Sequence, residues 1–212
     1  MRIKSVDLHH MYSPSIQNLI KALKKLPSVG ERTAERYVFH LLKSGKKETT
    51  ELMLALKNLT QTVTSCKVCW NFSDSSPCST CKDPRRDHGT VCVVEDPQDL
   101  SVIEHTGDFR GVYHVLRGLV DPTDEDGLKK MKIKELIGRV KFGNKEIKEI
   151  ILALNPDMAG ETTMLYLEKE LKKINPSLII SRLARGLPLG SDLKYADEIT
   201  LGSAIKNRVS KG

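Results

Sequence analysis

Apolar residues fall into three rhythms along the 212-residue chain. From about residue 13 to residue 64 they recur at helical spacing. Ile16, Leu19, Ile20, Leu23 and Leu26 share one face, because side chains three and four positions apart stack on the same side of a helix. Pro27 breaks that run, Val29-Gly30 sits in the turn, and a second helix is predicted from about Glu31, with Ala34, Tyr37, Val38, Leu41 and Leu42 on one face. A third helix is predicted over residues 49–63. Residues 66–84 are short of apolar side chains and rich in Ser, Cys and Pro, so they cannot build a core of their own. From about residue 90 short apolar runs alternate with helical stretches. Val91-Cys92-Val93-Val94, residues 149–154 and Leu178-Ile179-Ile180 read as strands, and residues 161–173 as a helix. This βαβ rhythm predicts a mainly parallel sheet covered by helices. The fold class is α/β with an N-terminal all-α part, without internal repeats or low-complexity tracts.

Composition narrows the partners. With 39% hydrophobic and 29% charged residues the chain is of the globular kind. No stretch approaches the roughly 18 apolar residues of a membrane span, and the first residues lack the apolar centre of a signal peptide. No membrane association and a cytoplasmic location are therefore expected. The net charge is +7, which favours a polyanionic partner. A lysine-rich surface would carry the same charge, but the excess is concentrated. Arg2, Lys4, Lys21, Lys24, Lys25, Arg32, Arg36, Lys43, Lys46, Lys47 and Lys57 face only Asp7, Glu31, Glu35, Glu48 and Glu51 in residues 1–65. Aromatic residues make up 5%, which points to phosphate contacts rather than base stacking.

Four of the five cysteines fall in one window, as Cys66-Lys67-Val68-Cys69 and Cys78-Ser79-Thr80-Cys81. Two such knuckles bring four thiolates to one tetrahedral ion, and four protein ligands close the site, so a single structural zinc is predicted. Two disulfides are the alternative use of the same residues, disfavoured where thiols stay reduced. A redox pair would need the motif to open a helix after a strand, which it does not. Cys92 lies inside an apolar strand and is predicted to be a core residue, and His88 is not needed as a ligand.

The segment from Leu23 through Pro27-Ser28-Val29-Gly30 to Ala34 reads as a helix-hairpin-helix. There the turn amides, at Val29 and Gly30, and the next helix N-terminus meet a phosphate. Arg32 and Arg36 are four apart, share a helical face and reach neighbouring phosphates. Ser28 stands where the motif usually has glycine, and serine adopts a left-handed backbone poorly. A plain packing hairpin is the alternative.

Strand Val91–Val94 ends in Glu95-Asp96-Pro97, and a later one in Asn155-Pro156-Asp157. Carboxylates at strand C-termini sit where open α/β sheets place ligands. The pattern resembles the Toprim domain, whose enzymes hold magnesium with a strand-end glutamate and an Asp-x-Asp pair. Here Asn155 replaces the first aspartate, which removes a hard ligand. A magnesium-dependent nuclease or phosphotransferase is the alternative function, with Glu95 and Asp157 as its remaining ligands.

The order of these modules, with Gly111-Val112-Tyr113-His114-Val115-Leu116, Gly160-Glu161-Thr162-Thr163, Gly186-Leu187-Pro188-Leu189-Gly190 and the run from Asp192 to Leu201, resembles the RecR family of bacterial recombination mediators. The resemblance covers roughly residues 15–208 and is weakest in the acidic stretch Val120-Asp121-Pro122-Thr123-Asp124-Glu125-Asp126. It implies a hairpin region at 13–64, a zinc module at 65–85, a Toprim-like domain at 88–185 and an oligomerisation segment at 186–212. It further implies a homotetrameric ring that binds gapped DNA and single-strand/duplex junctions and catalyses no reaction. With RecO, and in many bacteria RecF, such rings load RecA onto SSB-coated gaps. By the same resemblance Arg32 and Arg36 line the DNA path, and Glu95 and Glu161 contact RecO.

Overall fold

A computed structural model of the chain describes residues 12–120, 131–143 and 146–208. Arg2, Lys4, Asp7 and the acidic stretch 121–126 lie outside the described residues. The chain divides into two compact units, Met1–Val63 and Thr64–Gly212.

The first unit is helical, with α1 (Pro14–Leu23), α2 (Glu31–Ser44) and α3 (Lys46–Thr62). Pro14 opens α1, where its missing N–H costs nothing. The helix ends at Leu23, earlier than the apolar spacing predicted, and Leu26 lies mostly exposed in the turn. Ile20, Ala34 and Val38 form the small core, flanked by Tyr12, Ile16, Leu23 and Val29. Gly45, at φ +89°, makes the sharp joint between α2 and α3. None of the residues of α3 is buried, and Leu52, Met53, Leu54, Leu56 and Leu59 are each about half exposed.

The second unit opens with a two-stranded antiparallel ribbon, β1 (Thr64–Ser65) and β2 (Phe72–Ser73), and a single-turn helix α4 (Ser79–Lys82). A four-stranded sheet follows, built from β3 (Asp87–Val94), β4 (Gly111–Val115), β5 (Glu149–Leu152) and β6 (Ile179–Arg182). The spatial order is β4-β3-β5-β6, and every pairing is parallel. The expected parallel sheet is present, with β4 as a further strand. Strand alternation divides the core between the two faces. Cys92 and Val94 pack with Tyr113, Val115 and Leu100 of α5 (Pro97–Thr106). Val91 and Val93 pack on the other face with Leu136 of α6 (Ile133–Phe142) and with Met164, Leu167 and Leu171 of α7 (Met158–Ile174). Cys92 is a core residue, as expected, and burial pushes its thiol up to about 12.

From β3 the chain moves to one side to make β4, then crosses to the other side of β3 to make β5. The C-terminal ends of β3 and β5 therefore flank the point where the winding direction changes, which is where open α/β sheets form their crevice. After β6 come a short turn of helix at Leu193–Tyr195 and α8 (Glu198–Lys206), neither of which buries a residue. Among the described residues no helix is long and apolar enough to cross a membrane.

Candidate functional site

The four clustered cysteines are all buried, and their sulfurs lie within 4.8 Å of one another. Both knuckles turn on backbone hydrogen bonds. Trp70 donates to the Cys66 carbonyl at 2.9 Å, and Lys82 to the Cys78 carbonyl at 3.1 Å. Trp70 closes the first turn in a left-handed conformation, φ +64°. The Cys69 and Cys78 sulfurs are 3.6 Å apart. A disulfide needs about 2.05 Å, whereas an ion bound at about 2.3 Å to four sulfurs sets tetrahedral edges of roughly 3.8 Å. The spacing fits a metal and not a pair of disulfides. Without a cation the four thiols compete for protons. Hydrogen bonds from Cys69 and Cys81 hold the Cys78 thiol low, and the same contacts drive Cys69 and Cys81 up. A divalent ion removes that conflict. His88 is engaged elsewhere, its Nε2 lying 3.1 Å from the Asp83 carbonyl.

The zinc module is tied to the sheet by Arg117, which sequence reasoning missed. Arg117 stands just beyond β4 in a left-handed conformation, φ +61°. Its Nε donates to the Trp70 carbonyl at 3.0 Å, its Nη2 to Ser65 Oγ at 2.8 Å, and its guanidinium lies 4.3 Å from the Phe72 ring centre. The Val115 amide donates to the Cys69 carbonyl at 2.8 Å. Nothing in the local pattern of Leu116-Arg117-Gly118 marks this role, because all partners are distant in sequence.

In the hairpin, Ser28 adopts the left-handed backbone, φ +62°, that the motif usually gives to glycine. The turn is thus made despite the serine. Gly30 caps α2 from an extended conformation without a side-chain cap. In the first turn after it, the Arg32 and Thr33 amides have no carbonyl within the helix to bond. Arg32 and Arg36 are exposed, and neither forms an ion pair among the described residues. Arg36 lies 5.7 Å from the Tyr37 ring centre, and Lys24 is paired with Glu31 across the turn. Val29 is half-buried against the hairpin core, and Gly30 is exposed.

Glu95 follows β3 at the switch point. Its carboxyl is pushed up by burial and by Asp96, Asp99 and Asp157. This is a concentration of negative charge without a paired cation among the described residues. Asp157 is committed locally, since its Oδ1 accepts the Gly160 amide at 2.8 Å as the N-cap of α7. A Cβ at Gly160 would collide with the Asn155 carbonyl, so this turn requires glycine. Asn155 is exposed. Glu161 is not free on the surface: it pairs with Arg182 at 3.1 Å and with Arg185, and Arg182 also holds Glu168 at 3.0 Å. The structure thus gathers Glu95 and Asp157 at one crevice, while Glu161 belongs to a separate ionic cluster. Arg86 is likewise engaged, through Glu104.

These parts define a class: a helix-hairpin-helix unit joined to a four-thiolate module and a Toprim sheet. The chain matches the family models for the RecR helix-hairpin-helix (residues 16–60), the RecR zinc finger domain with four cysteine ligands (63–83), the Toprim domain (89–184) and the RecR C-terminal region (186–209). It is 45% identical over 199 residues to "Recombination protein RecR" of Moorella thermoacetica, covering 93% of this chain and 98% of that one. It is 44% identical over 198 residues to the protein of the same name from Gloeobacter violaceus, covering 93% and 98%. A third relative of that name, from Bifidobacterium animalis, is 45% identical over 197 residues, covering 93% and 96%. The chain belongs to the RecR family of recombination proteins, and its four-cysteine module carries one structural zinc.

Proposed function

We propose that this protein is a recombinational DNA-repair mediator. It binds gapped DNA and single-strand/duplex junctions as a homo-oligomeric ring of four subunits. With RecO, and with RecF where that partner is used, it promotes loading of RecA onto SSB-coated gaps in the cytoplasm. Its regions are 13–64 for DNA, 65–85 for zinc, 88–185 for partners and 186–212 for assembly. Cys66, Cys69, Cys78 and Cys81 hold the zinc. Arg32 and Arg36, with the Gly30 amide, meet phosphates, while the Val29 amide donates to the Leu26 carbonyl at 3.2 Å and shapes the turn. Glu95 and Glu161 face RecO.

The observation that carries the reading is the hairpin. The open N-terminus of α2 and two exposed arginines one turn apart form a phosphate site without base-reading chemistry. Assembly is supported by the apolar residues left half exposed along α3 and by Leu189, Leu193, Tyr195 and Ile199 in the C-terminal segment, since such surfaces mark interfaces. The protein acts without chemistry of its own: Asn155 offers no charge to a magnesium ion, and Asp157 is used as a helix cap.

The test is RecA filament formation on SSB-coated gapped DNA with RecO. Addition of this protein is expected to accelerate it. No acceleration at any stoichiometry, with RecO and RecF both present, contradicts the proposal.

A further inference from the structure

Arg139 on α6 poses an electrostatic problem. Its side chain is only partly accessible, and its Nη1 donates to the Tyr113 carbonyl of β4 at 2.6 Å. No carboxylate lies within ion-pair distance of it among the described residues. A guanidinium withdrawn from water requires an anion. Its acidic neighbour along α6, Glu135, is taken by Lys132 at 3.0 Å.

The anion is on the zinc module. Arg139 and Cys81 line the same cavity, with Trp70 and His88; its other charged residues are Lys67, which is exposed, and Glu135, which Lys132 holds. Burial pulls the Arg139 guanidinium below its ordinary range, and charge on the cysteines, Cys81 and Cys69 foremost, opposes that pull. Two residues beyond Tyr113, Val115 binds the Cys69 carbonyl. One stretch of β4 therefore fixes both the guanidinium and the first knuckle. Four thiolates around a divalent ion carry a formal charge of about −2. Lys67 and Lys82, the lysines nearest in sequence, are exposed and act through water, where the attraction is weak.

We propose that Arg139 is the counter-charge of the zinc tetrathiolate, a positioning residue that lowers the energy of the metal-bound site from outside its ligand set. The inference rests on the assignment of zinc to Cys66, Cys69, Cys78 and Cys81. It makes α6 and β4 part of the metal site, so that zinc occupancy and packing of the Toprim sheet are coupled. Zinc held by the cysteines gives Arg139 its anion, and Arg139 in place slows loss of zinc.

The experiment follows zinc transfer from the full-length protein to a colorimetric chelator, in the wild type, Arg139→Met and Arg139→Lys. Circular dichroism checks the fold, and metal content at the outset checks the zinc assignment separately. Partners beyond the ligand shell typically change metal affinity about 10- to 100-fold. Arg139→Met is expected to release zinc at least about tenfold faster, while Arg139→Lys, which keeps the charge, stays within about threefold of wild type. Wild-type release from Arg139→Met overturns the proposal. So does equally fast release from both variants, which assigns Arg139 to packing alone. If Arg139→Met does not fold, Arg139→Lys decides: a folded, zinc-retaining protein supports the charge role, and a second failure overturns it. Absence of zinc from the wild type overturns the ligand assignment, and this inference with it.

Discussion

Single side chains already separate the structural from the functional groups. Glu104 accepts both guanidinium nitrogens of Arg86, at 2.8 and 2.5 Å, and the Tyr113 hydroxyl at 2.6 Å. The Arg86 hydrogen bond is the main reason its carboxyl is held below the ordinary range. A depressed acid stabilises the fold above its unfolded value, and that contribution is lost as pH falls through the folded one. Glu104→Gln is expected to cost about 1–3 kcal/mol near neutral pH. The gap to wild type should begin to narrow as pH falls through the ordinary glutamate value of about 4.3 and close only below the lower value of the folded carboxyl. Urea denaturation at several pH values measures it, and a gap independent of pH removes the charged hydrogen bonds as the cause. Cys78→Ser belongs to the same level. It is expected to abolish stoichiometric zinc and to lower stability and solubility more than DNA affinity in any fraction that folds. Metal analysis and thermal melting check this.

Elements show how the chain uses its local irregularities. The α1–α2 turn places a serine at φ +62°, a conformation that costs a non-glycine residue about 1 kcal/mol or more. Ser28→Gly should therefore raise the stability of the helical unit by up to about 1 kcal/mol, net of glycine's entropy. Thermal melting would show this, and a fall in stability would mean that the serine side chain contributes more than its backbone costs. The same turn presents Arg32 and Arg36. The double change Arg32→Ala, Arg36→Ala should weaken binding to every DNA sequence alike and flatten its salt dependence, leaving zinc content and oligomeric mass intact. Wild-type affinity and salt slope would make the hairpin a packing element only. In that case Arg85, exposed although paired with Asp83, is the better candidate than Arg86, which Glu104 already holds.

For the molecule as a whole, the crevice is the decisive region. Glu95 sits among Asp96, Asp99 and Asp157, and burial and those charges raise its carboxyl. A magnesium ion would relieve that crowding, but Asn155 withholds one charged oxygen and Asp157 is turned to the Gly160 amide. No magnesium-dependent cleavage or ligation of gapped DNA is expected. Robust activity abolished by Glu95→Gln would replace the mediator reading with that of a nuclease or phosphotransferase. Sedimentation of the protein alone and with DNA tests assembly. A monomer under both conditions would leave the apolar side chains of α3 without the role proposed for them.

Local signals sufficed wherever one short segment holds all the relevant atoms. The paired Cys-x-x-Cys knuckles are such a case, because their ligand geometry is set within a few residues. So are the hairpin and the strands β3, β5 and β6, whose apolar runs mark them as strands, although only β3 is buried on both faces and the edge strand β6 buries none of its residues. Strand β4 was legible only as a family motif, since Gly111-Val112-Tyr113-His114-Val115 mixes small, aromatic and polar residues, all of which are buried although the strand lies at the sheet edge. The roles of Arg117 and Arg139 were not legible at all. Arginine is ordinarily a surface residue, and each of these acquires its function from partners that only folding brings near. Glu161 entered from the sequence only through the family resemblance, and its pairing with Arg182 and Arg185 depends on the return of β6 beside α7. Ligand chemistry within a few residues follows from chain connectivity. Charge pairing across the fold depends on three-dimensional proximity, which composition and spacing do not encode.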